Sequence, residues 1–526
     1  GAEMSQTNQT NNIAYIYNPA NYSEEELIRN FSVRLNEFNS IFQVIKNDDM
    51  KHPPQHFLIQ GLRGNGKTTL LRRLFYEVKN DPQLSKNLIP VIFDEEEYGV
   101  RTLYKLWERI AENIEDNYSE FTGIYDEMMK HVENDDYEET AYKILKNKLH
   151  DKGMKLVLFF DNFGEVLGKF NEKEARRLRE ILMVENFIRI VGASSIMLES
   201  FYDYSKPFYE FFKIIQLNGL TKTEALEFLK KIAENYGKPE VVKMIETHPE
   251  RVETLRVLTE GVPRTMLLLF EIFADNDNGN SFEDLEFVLD RVTPLYKHRM
   301  DDMSGIQQEI VDIIARNWDG IEVSTIAEKS KMDSKSISSQ LNVMYKNNVI
   351  SKISTNTKNN LYILKERFFN IWYLMRYGRK NDRERVLWLT RFLEAWFKKR
   401  RNIETVSEKE VHYGDFADVF EKLRNDKIEE GVNAAREFLS NEEVYEKYDE
   451  DITLLLIFMM AKDQYNSVLK IFNENKFDVK DRFKPVYYAL MHFMKDKFPN
   501  EYLKMGSELK ETVEEIIKEV EKYRNW

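Results

Sequence analysis

Residues 56–71 read HFLIQGLRGNGKTTLL. The short apolar run Phe57, Leu58, Ile59 leads into Gly61-Leu62-Arg63-Gly64-Asn65-Gly66-Lys67-Thr68, which fits GxxxxGK[ST] at every fixed position. Apolar residues then recur at helical spacing through Leu70, Leu71, Leu74 and Val78. Strand, glycine loop and helix in that order form the setting in which this pattern binds phosphate. The glycines let the backbone curl round a polyphosphate with its N–H groups pointing inward. The N-terminus of the following helix adds positive partial charge at the same place. Gly61, Gly64, Asn65, Gly66, Lys67, Thr68 and Thr69 are therefore the candidate nucleotide cradle, with Lys67 reaching the β- and γ-phosphates and the Thr68 hydroxyl ligating Mg²⁺.

Working outward, 526 residues are too many for one core and imply three or four domains. The composition, 42% hydrophobic and 32% charged, is that of an ordinary water-soluble chain. The longest apolar run, residues 453–461, is far short of the roughly 20 residues that cross a bilayer, so no membrane is expected as a partner. The first twelve residues are polar and lack the charged and apolar regions of a secretory leader. There is no cysteine, which excludes disulfides, thiolate zinc sites and thiol catalysis and fits a cytoplasmic protein. A net charge of −14 excludes a surface basic all over, so any nucleic-acid contact must come from a local patch.

Taken in order, residues 31–45 carry apolar side chains at helical spacing (Phe31, Leu35, Phe38, Phe42, Ile45). After the glycine loop and its helix, residues 88–97 (LIPVIFDEEE) read as a second buried strand with an acidic loop. Residues 101–114 and 141–149 read as amphipathic helices. KLVLFFDN, residues 155–162, is an apolar run closed by an acid, the pattern of a strand buried on both faces. Residues 187–195 (FIRIVGASS) and 212–220 (FKIIQLNGL) supply a fourth and a fifth strand. Strands alternating with helices imply an α/β core with a five-stranded parallel sheet and its ligand at the carboxyl ends of the strands. At Thr221 the texture changes: Thr221 and Glu224 form a capping box, and helices follow, the last of them starting near Gly261–Thr265. From residue 305, three helices and an extended pair (residues 350–354 and 360–364) read as a winged helix. The remainder is helical, with paired helices of tetratricopeptide-like size. The expected domains are a P-loop core over 1–218, an all-α lid over 219–300, a winged helix over 301–378 and an α-helical C-terminal domain over 379–526.

Asp161 ends the third strand and is the candidate acid for holding Mg²⁺ opposite Thr68. The next residue is Asn162, where hydrolytic relatives of this class carry Glu. An amide orients a water but cannot accept its proton, so fast hydrolysis is not expected. Glu165 is a candidate substitute, with a solvated loop acid as the alternative. Ser194 and Ser195 end the strand expected beside the glycine-loop strand, where a hydroxyl can meet the γ-phosphate or the attacking water; two serines in a turn is the alternative. Arg264 starts a helix, where a cation opposes the helix dipole unless it faces an anion.

The order of FSVR (31–34), GLRGNGKTT, LFFDN, GASS and GVPR, followed by a winged helix, resembles the AAA+ and STAND ATPases. It is closest to the branch shared by origin-recognition initiators and archaeal or bacterial STAND proteins, over residues 31–379. The resemblance implies binding of ATP or ADP with Mg²⁺. It places Arg34 in the family's entry segment near the adenine, with Val33 and Leu35 departing from that segment's Gly and Glu. It places Arg264 at sensor 2, or at the Gly-x-Pro motif formed here by Gly261 and Pro263. STAND proteins act as nucleotide-gated switches that hold ADP at rest and assemble when a sensor region meets its trigger. A protein partner or self-assembly is therefore expected, by resemblance with prokaryotic defence or regulation as the setting.

The alternative is an initiator-like ATPase that binds DNA. The candidate recognition helix offers Lys335, Gln340, Asn342 and Lys346, which can touch phosphates or base edges. Residues 376–401 carry ten cations (Arg376 and Arg401 among them) against three acids, interleaved with aromatics. Leu389, Phe392, Leu393 and Trp396 share one helical face, so these aromatics read as core rather than as stacking platforms.

Overall fold

The computed structural model describes residues 23–31, 33–94, 99–195, 207–208, 210–247, 249–275, 281–355, 357–398 and 415–525. Five parallel strands, β1 (Phe57–Gln60), β2 (Leu88–Phe93), β3 (Lys155–Phe160), β4 (Ile188–Ser194) and β5 (Lys213–Gln216), lie in the order β2-β3-β4-β1-β5. Side chains along each strand alternate between two apolar layers. Leu58, Leu156, Leu158 and Ile190 face one layer; Phe57, Ile59, Val157 and Val191 face the other. The second layer is closed by α1 (Leu35–Asn47) and α2 (Lys67–Asn80). The first is closed by α3 (Leu103–Asn117), α4 (Tyr137–Asp151) and the helices after β3, α5 (Phe163–Lys169) and α6 (Glu172–Val184). A sheet covered on both faces explains why its strands read as unbroken apolar runs.

The expected α/β core is present, with differences in detail. The fifth strand spans four residues rather than nine, because the chain leaves the sheet at Leu217 and turns at Gly219. There an added Cβ would overlap the Glu260 carbonyl. The acidic end of the residue 88–97 stretch (residues 95–98) lies outside the described residues. Between α3 and α4 a short helix, Ile124–Met129, buries Ile124 and Met128 where the sequence suggests only a connection.

The chain then builds α7 (Lys222–Asn235), α8 (Pro239–Thr247), α9 (Pro249–Leu258), α10 (Pro263–Asp275) and α11 (Ser281–Asp301). The Thr221–Glu224 capping box is formed reciprocally. The helix at Gly261–Thr265 is not the last of this group. α11 follows, and Pro294 inside it is the residue that argues locally against so long a helix. Next come α12 (Gly305–Ala315), α13 (Val323–Ser330), α14 (Ser334–Lys346) and the antiparallel pair β6 (Ile350–Ile353) and β7 (Leu361–Leu364). A bridge from Ile321 to Tyr362 ties this pair to the segment after α12, the order of helices and strands expected from the sequence. These helices share one core with the lid helices, running from Leu220 through Leu341 to Trp372.

α15 (Arg367–Tyr377) and α16 (Lys380–Lys398) lead to the C-terminal helices. Val386 of α16 belongs to the lid and winged-helix core and Leu389 to the C-terminal core, so this helix is shared between the two. Residues 399–414, with the last cations of the basic segment, lie outside the described residues, as do the side chains of Phe392, Leu393 and Trp396. Among the C-terminal helices, α17 (Asp415–Arg424) packs on α18 (Ile428–Leu439), α19 (Asp449–Ala461) on α20 (Tyr465–Glu474), and α21 (Lys484–Phe493) on α22 (Lys510–Tyr523), which also meets α19. Among the described residues no helix is long and apolar enough to cross a membrane.

Candidate functional site

The glycine loop connects the carboxyl end of β1 to α2. Gly64 and Gly66 have φ of +89° and +88°, a region that residues with a Cβ enter only at a cost. Nothing stands near a Cβ added at Gly66, so its glycine is required by backbone conformation alone. At Gly64 space matters too: an added Cβ would lie 3.3 Å from both Leu295 and Val262 and 3.4 Å from the Arg264 Cβ. The helical lid thus closes directly on the loop, and Arg264, at the first turn of α10, starts beside it with an exposed side chain.

The polar groups of the loop are arranged around its interior. The Lys67 ammonium, 7% exposed, donates to the carbonyls of Gly61 (2.7 Å) and Leu62 (2.9 Å). The Thr68 hydroxyl donates to Asp161, 3.0 and 3.2 Å from its two carboxylate oxygens. Thr69 Oγ1 is buried with no hydrogen-bond partner. Asn65 is pinned from two sides: its amide donates to Leu217 O (3.3 Å), and Arg34 donates to its carbonyl (3.1 Å) and to Oδ1 (3.4 Å). Arg34 is itself 4% exposed and left-handed at φ 66° immediately before α1. A non-glycine residue costs about 1–2 kcal/mol in that region, and its buried contacts with the loop hold it there.

β4 lies between β1 and β3, and its register pairs Gln60 with Ser194 and Phe160 with Gly192. Ser194, 1% exposed, therefore sits beside the residue that enters the glycine loop. Gly192 lets α5 approach the sheet, since a Cβ there would meet the Phe163 Cβ at 2.8 Å. Asn162 precedes α5, and its Oδ1 is buried without a hydrogen-bond partner. Glu165 falls on the first turn of α5 with its side chain exposed. Of the residues singled out in the sequence, the loop residues, Arg34, Asp161, Ser194 and the start of Arg264 gather at one end of the sheet, and Glu165 points to solvent.

The donor set suits the expected ligands. Inward N–H groups at the start of α2 and a lysine suit phosphate. One hydroxyl and one carboxylate suit Mg²⁺, a hard cation that takes few protein ligands and keeps several waters. The orphaned Thr69 hydroxyl adds a donor with nothing inside the protein to satisfy it.

Two features of the site escaped sequence reading. Arg63, a variable position of the motif, pairs with Asp302 beyond the end of α11 (2.8 and 3.3 Å). The Arg63 carbonyl accepts from Arg299 of α11 (3.4 Å). Nothing local signals partners more than 230 residues away.

No protein-family model matches this chain, and no curated protein matches it. Solved structures similar to it include the Orc1 protein of Aeropyrum pernix in complex with DNA (14% identity over 66% of this chain and 92% of that one, TM-score 0.33). Another is Cdc6p of Pyrobaculum aerophilum (12%, 70% and 97%, TM-score 0.34). A third is a signal transduction ATPase with numerous domains and a tetratricopeptide repeat sensor from Pyrococcus horikoshii (14%, 93% and 65%, TM-score 0.27). At these TM-scores the likeness is loose, and the architecture described above rests on this chain's own strand order and helices.

Proposed function

We propose that this protein is a nucleotide-dependent switch. It binds ATP or ADP with Mg²⁺ in the glycine loop, hydrolyses ATP slowly and couples nucleotide state to a protein partner or to self-assembly. The reading is carried by one observation: Lys67, Thr68 and Asp161 converge at the carboxyl end of the sheet under a lid packed on Gly64. The proposed site residues are Gly61, Gly64, Asn65, Gly66, Lys67, Thr68 and Thr69 for the phosphates and Arg34 for the entry segment. Asp161, Ser194 and Arg264 belong at the reacting end.

Lys67 gives up its two carbonyl partners to a phosphate. The charge-assisted bonds it gains there are stronger than those it leaves. Thr68 and Asp161 would hold Mg²⁺, which supplies charge neutralisation at the phosphates. Asn162 orients water without taking its proton, which makes turnover slow, and Glu165 at the first turn of α5 is the candidate base in its stead. A long-lived nucleotide state is what a switch needs.

Saturating ADP or ATP with Mg²⁺ should raise the melting temperature of the full chain. Lys67→Ala should remove the shift while leaving the apo melting temperature nearly unchanged. A wild-type protein with no shift would end this reading.

A second reading, a DNA-binding ATPase, is favoured by Arg376, Arg379, Lys380 and Arg383, which are exposed where α15 meets α16 next to the winged helix. Arg385 in the same segment is engaged by Asp481 (3.2 Å). Duplex binding that falls steeply with salt, and is weakened by Arg379→Glu with Arg383→Glu, would support DNA binding; salt-insensitive or absent binding would leave the switch. A cytoplasmic setting and a prokaryotic defence or regulatory role complete the proposal.

A further inference from the structure

Glu366 and Arg367 are adjacent, opposite in charge and almost fully buried, at 2% and 1% exposure. They serve different parts of the molecule. Glu366 accepts hydrogen bonds from two lid helices: Thr265 of α10 (3.1 Å), and Tyr296 and Arg299 of α11 (both 2.5 Å). Arg299 carries the connection to the glycine loop through the Arg63 carbonyl, and Arg63 returns it through Asp302.

Arg367 turns the other way. It donates to Trp318 O (2.7 Å), and its Nε lies 3.0 Å from Glu508 in the C-terminal helical region. That pair is buried on both sides, yet both Glu508 oxygens lack a well-aligned hydrogen bond. Taking the carboxylate away from such a pair strands a buried charge that must find another partner.

Other charged groups cross the same junction. Lys484 and Tyr488 of α21 reach Asp319 (2.8 and 3.0 Å). Beside them a cavity of about 160 Å³ is lined by charges that pair with one another, including Arg316 with Asp382 and Arg385 with Asp481. Apolar contact continues beside these charges, since Trp318 packs against both cores and α16 is shared between them.

We infer that the Glu366–Arg367 dipeptide is the coupling element through which the C-terminal helical region controls how firmly the lid holds nucleotide in the glycine loop. Arg299 and Glu366 act as positioning residues. With Glu508 docked on Arg367, Glu366 is committed to the lid and Arg299 stays on the loop. When a partner draws the C-terminal helices away, a buried guanidinium loses its carboxylate. It then competes for Glu366, the lid loosens, and nucleotide leaves. By linkage, bound nucleotide tightens the C-terminal docking by the same factor.

This inference rests on the nucleotide-binding reading, and the experiment separates the two. A fluorescent ADP analogue with Mg²⁺ is bound to the full chain and chased with unlabelled ADP, for wild type, Lys67→Ala, Glu366→Gln, Glu508→Gln and the Glu366→Gln/Glu508→Gln pair. The expected result is dissociation faster by about 5-fold or more in each single Gln variant. The pair should be no faster than the worse single, because both act in one chain of contacts. Wild type that fails to bind, or binding untouched by Lys67→Ala, would sink the nucleotide reading itself. Wild type that binds, with both Gln variants releasing nucleotide at the wild-type rate, would overturn the coupling alone. Should a Gln variant fail to fold, hydrogen exchange of the wild-type chain decides. Nucleotide should slow exchange at residues 366–374 and 506–513 as well as at 61–69, and protection confined to 61–69 would overturn the coupling.

Discussion

At the amino ends of β1 and β4, buried His56 and Arg189 meet the half-buried Asp48 and the backbone of exposed Gln55. At the carboxyl ends of the same two strands lie Gln60, Ser194 and the glycine loop. In the first cluster each group has a fixed internal partner. The Ile190 N–H donates to His56 Nδ1 (3.0 Å), so the ring carries its proton on Nε2, facing Leu182 O (3.3 Å). Arg189, fully buried, donates to Gln55 O (2.6 Å) and to Asp48 (2.5 Å). In the second, the groups are held by contacts a ligand can replace: loop carbonyls on Lys67, Asp161 on Thr68, and nothing on Thr69 Oγ1. Each end holds a buried cation facing an acid or carbonyls. What separates a structural cluster from a candidate site is whether a partner can be exchanged, and positive-φ glycines are what leave room for the exchange.

The sharpest test of that contrast is pH. Burial is the main reason the His56 pKa falls from 6.5 to about 4, with Arg189 adding to it. Between those values the unfolded chain takes up a proton that the folded chain refuses. The stability contribution is therefore complete above pH 6.5 and is lost as pH falls toward 4, by about 3 kcal/mol in all. Urea denaturation across that window should show the loss, and His56→Asn should flatten the slope by close to one proton. An unchanged slope would mean the ring is not held neutral.

Next in size, Lys67→Ala should cost about 2.7 kcal/mol of ligand-dependent stability at 100 times the dissociation constant, and very little without ligand. Calorimetric melts with and without ADP and Mg²⁺ measure both terms. A large apo loss would make Lys67 a structural residue like Arg189, and the contrast would collapse.

Arg189→Leu should do the reverse. It strands Asp48 and the Gln55 carbonyl, but Asp48 is 33% exposed and regains water, so the loss is about 2 kcal/mol rather than that of a fully buried pair. Nucleotide affinity per folded molecule should stay at the wild-type value.

The smallest effect on stability is expected from Gly64→Ala, about 1 kcal/mol for a positive φ. The same substitution should weaken nucleotide binding disproportionately, because its methyl group lies against Leu295 and Val262 where the lid meets the loop. A variant that loses stability but keeps its affinity would show that lid contact at Gly64 is irrelevant to binding.

Legibility in the sequence followed the distance over which each signal acts. The glycine loop and the Thr221–Glu224 capping box are contiguous, so their side chains and backbone conformations are set by near neighbours. The strands were readable because burial on both faces leaves an apolar run. The three helices and the extended pair of residues 305–364 were readable because turns separate them. Arg189 left a faint trace as a charge inside the apolar run FIRIVG, but its partner Asp48 lies 141 residues away. Pro294 pointed the wrong way, since the packing of Val292, Leu295 and Tyr296 in the lid core outweighs one lost helical bond.

By itself, the sequence determined where the glycine loop and its lysine stand, because a glycine pattern fixes local backbone freedom and a lysine fixes local charge. Only the tertiary structure decided that Arg299 reaches the loop, and that Glu366 and Arg367 look toward opposite halves of the molecule. Those pairings lie between 67 and 236 residues apart along the chain. They exist because buried charges must find partners once apolar packing has brought the layers together, and no local pattern records which partner that will be.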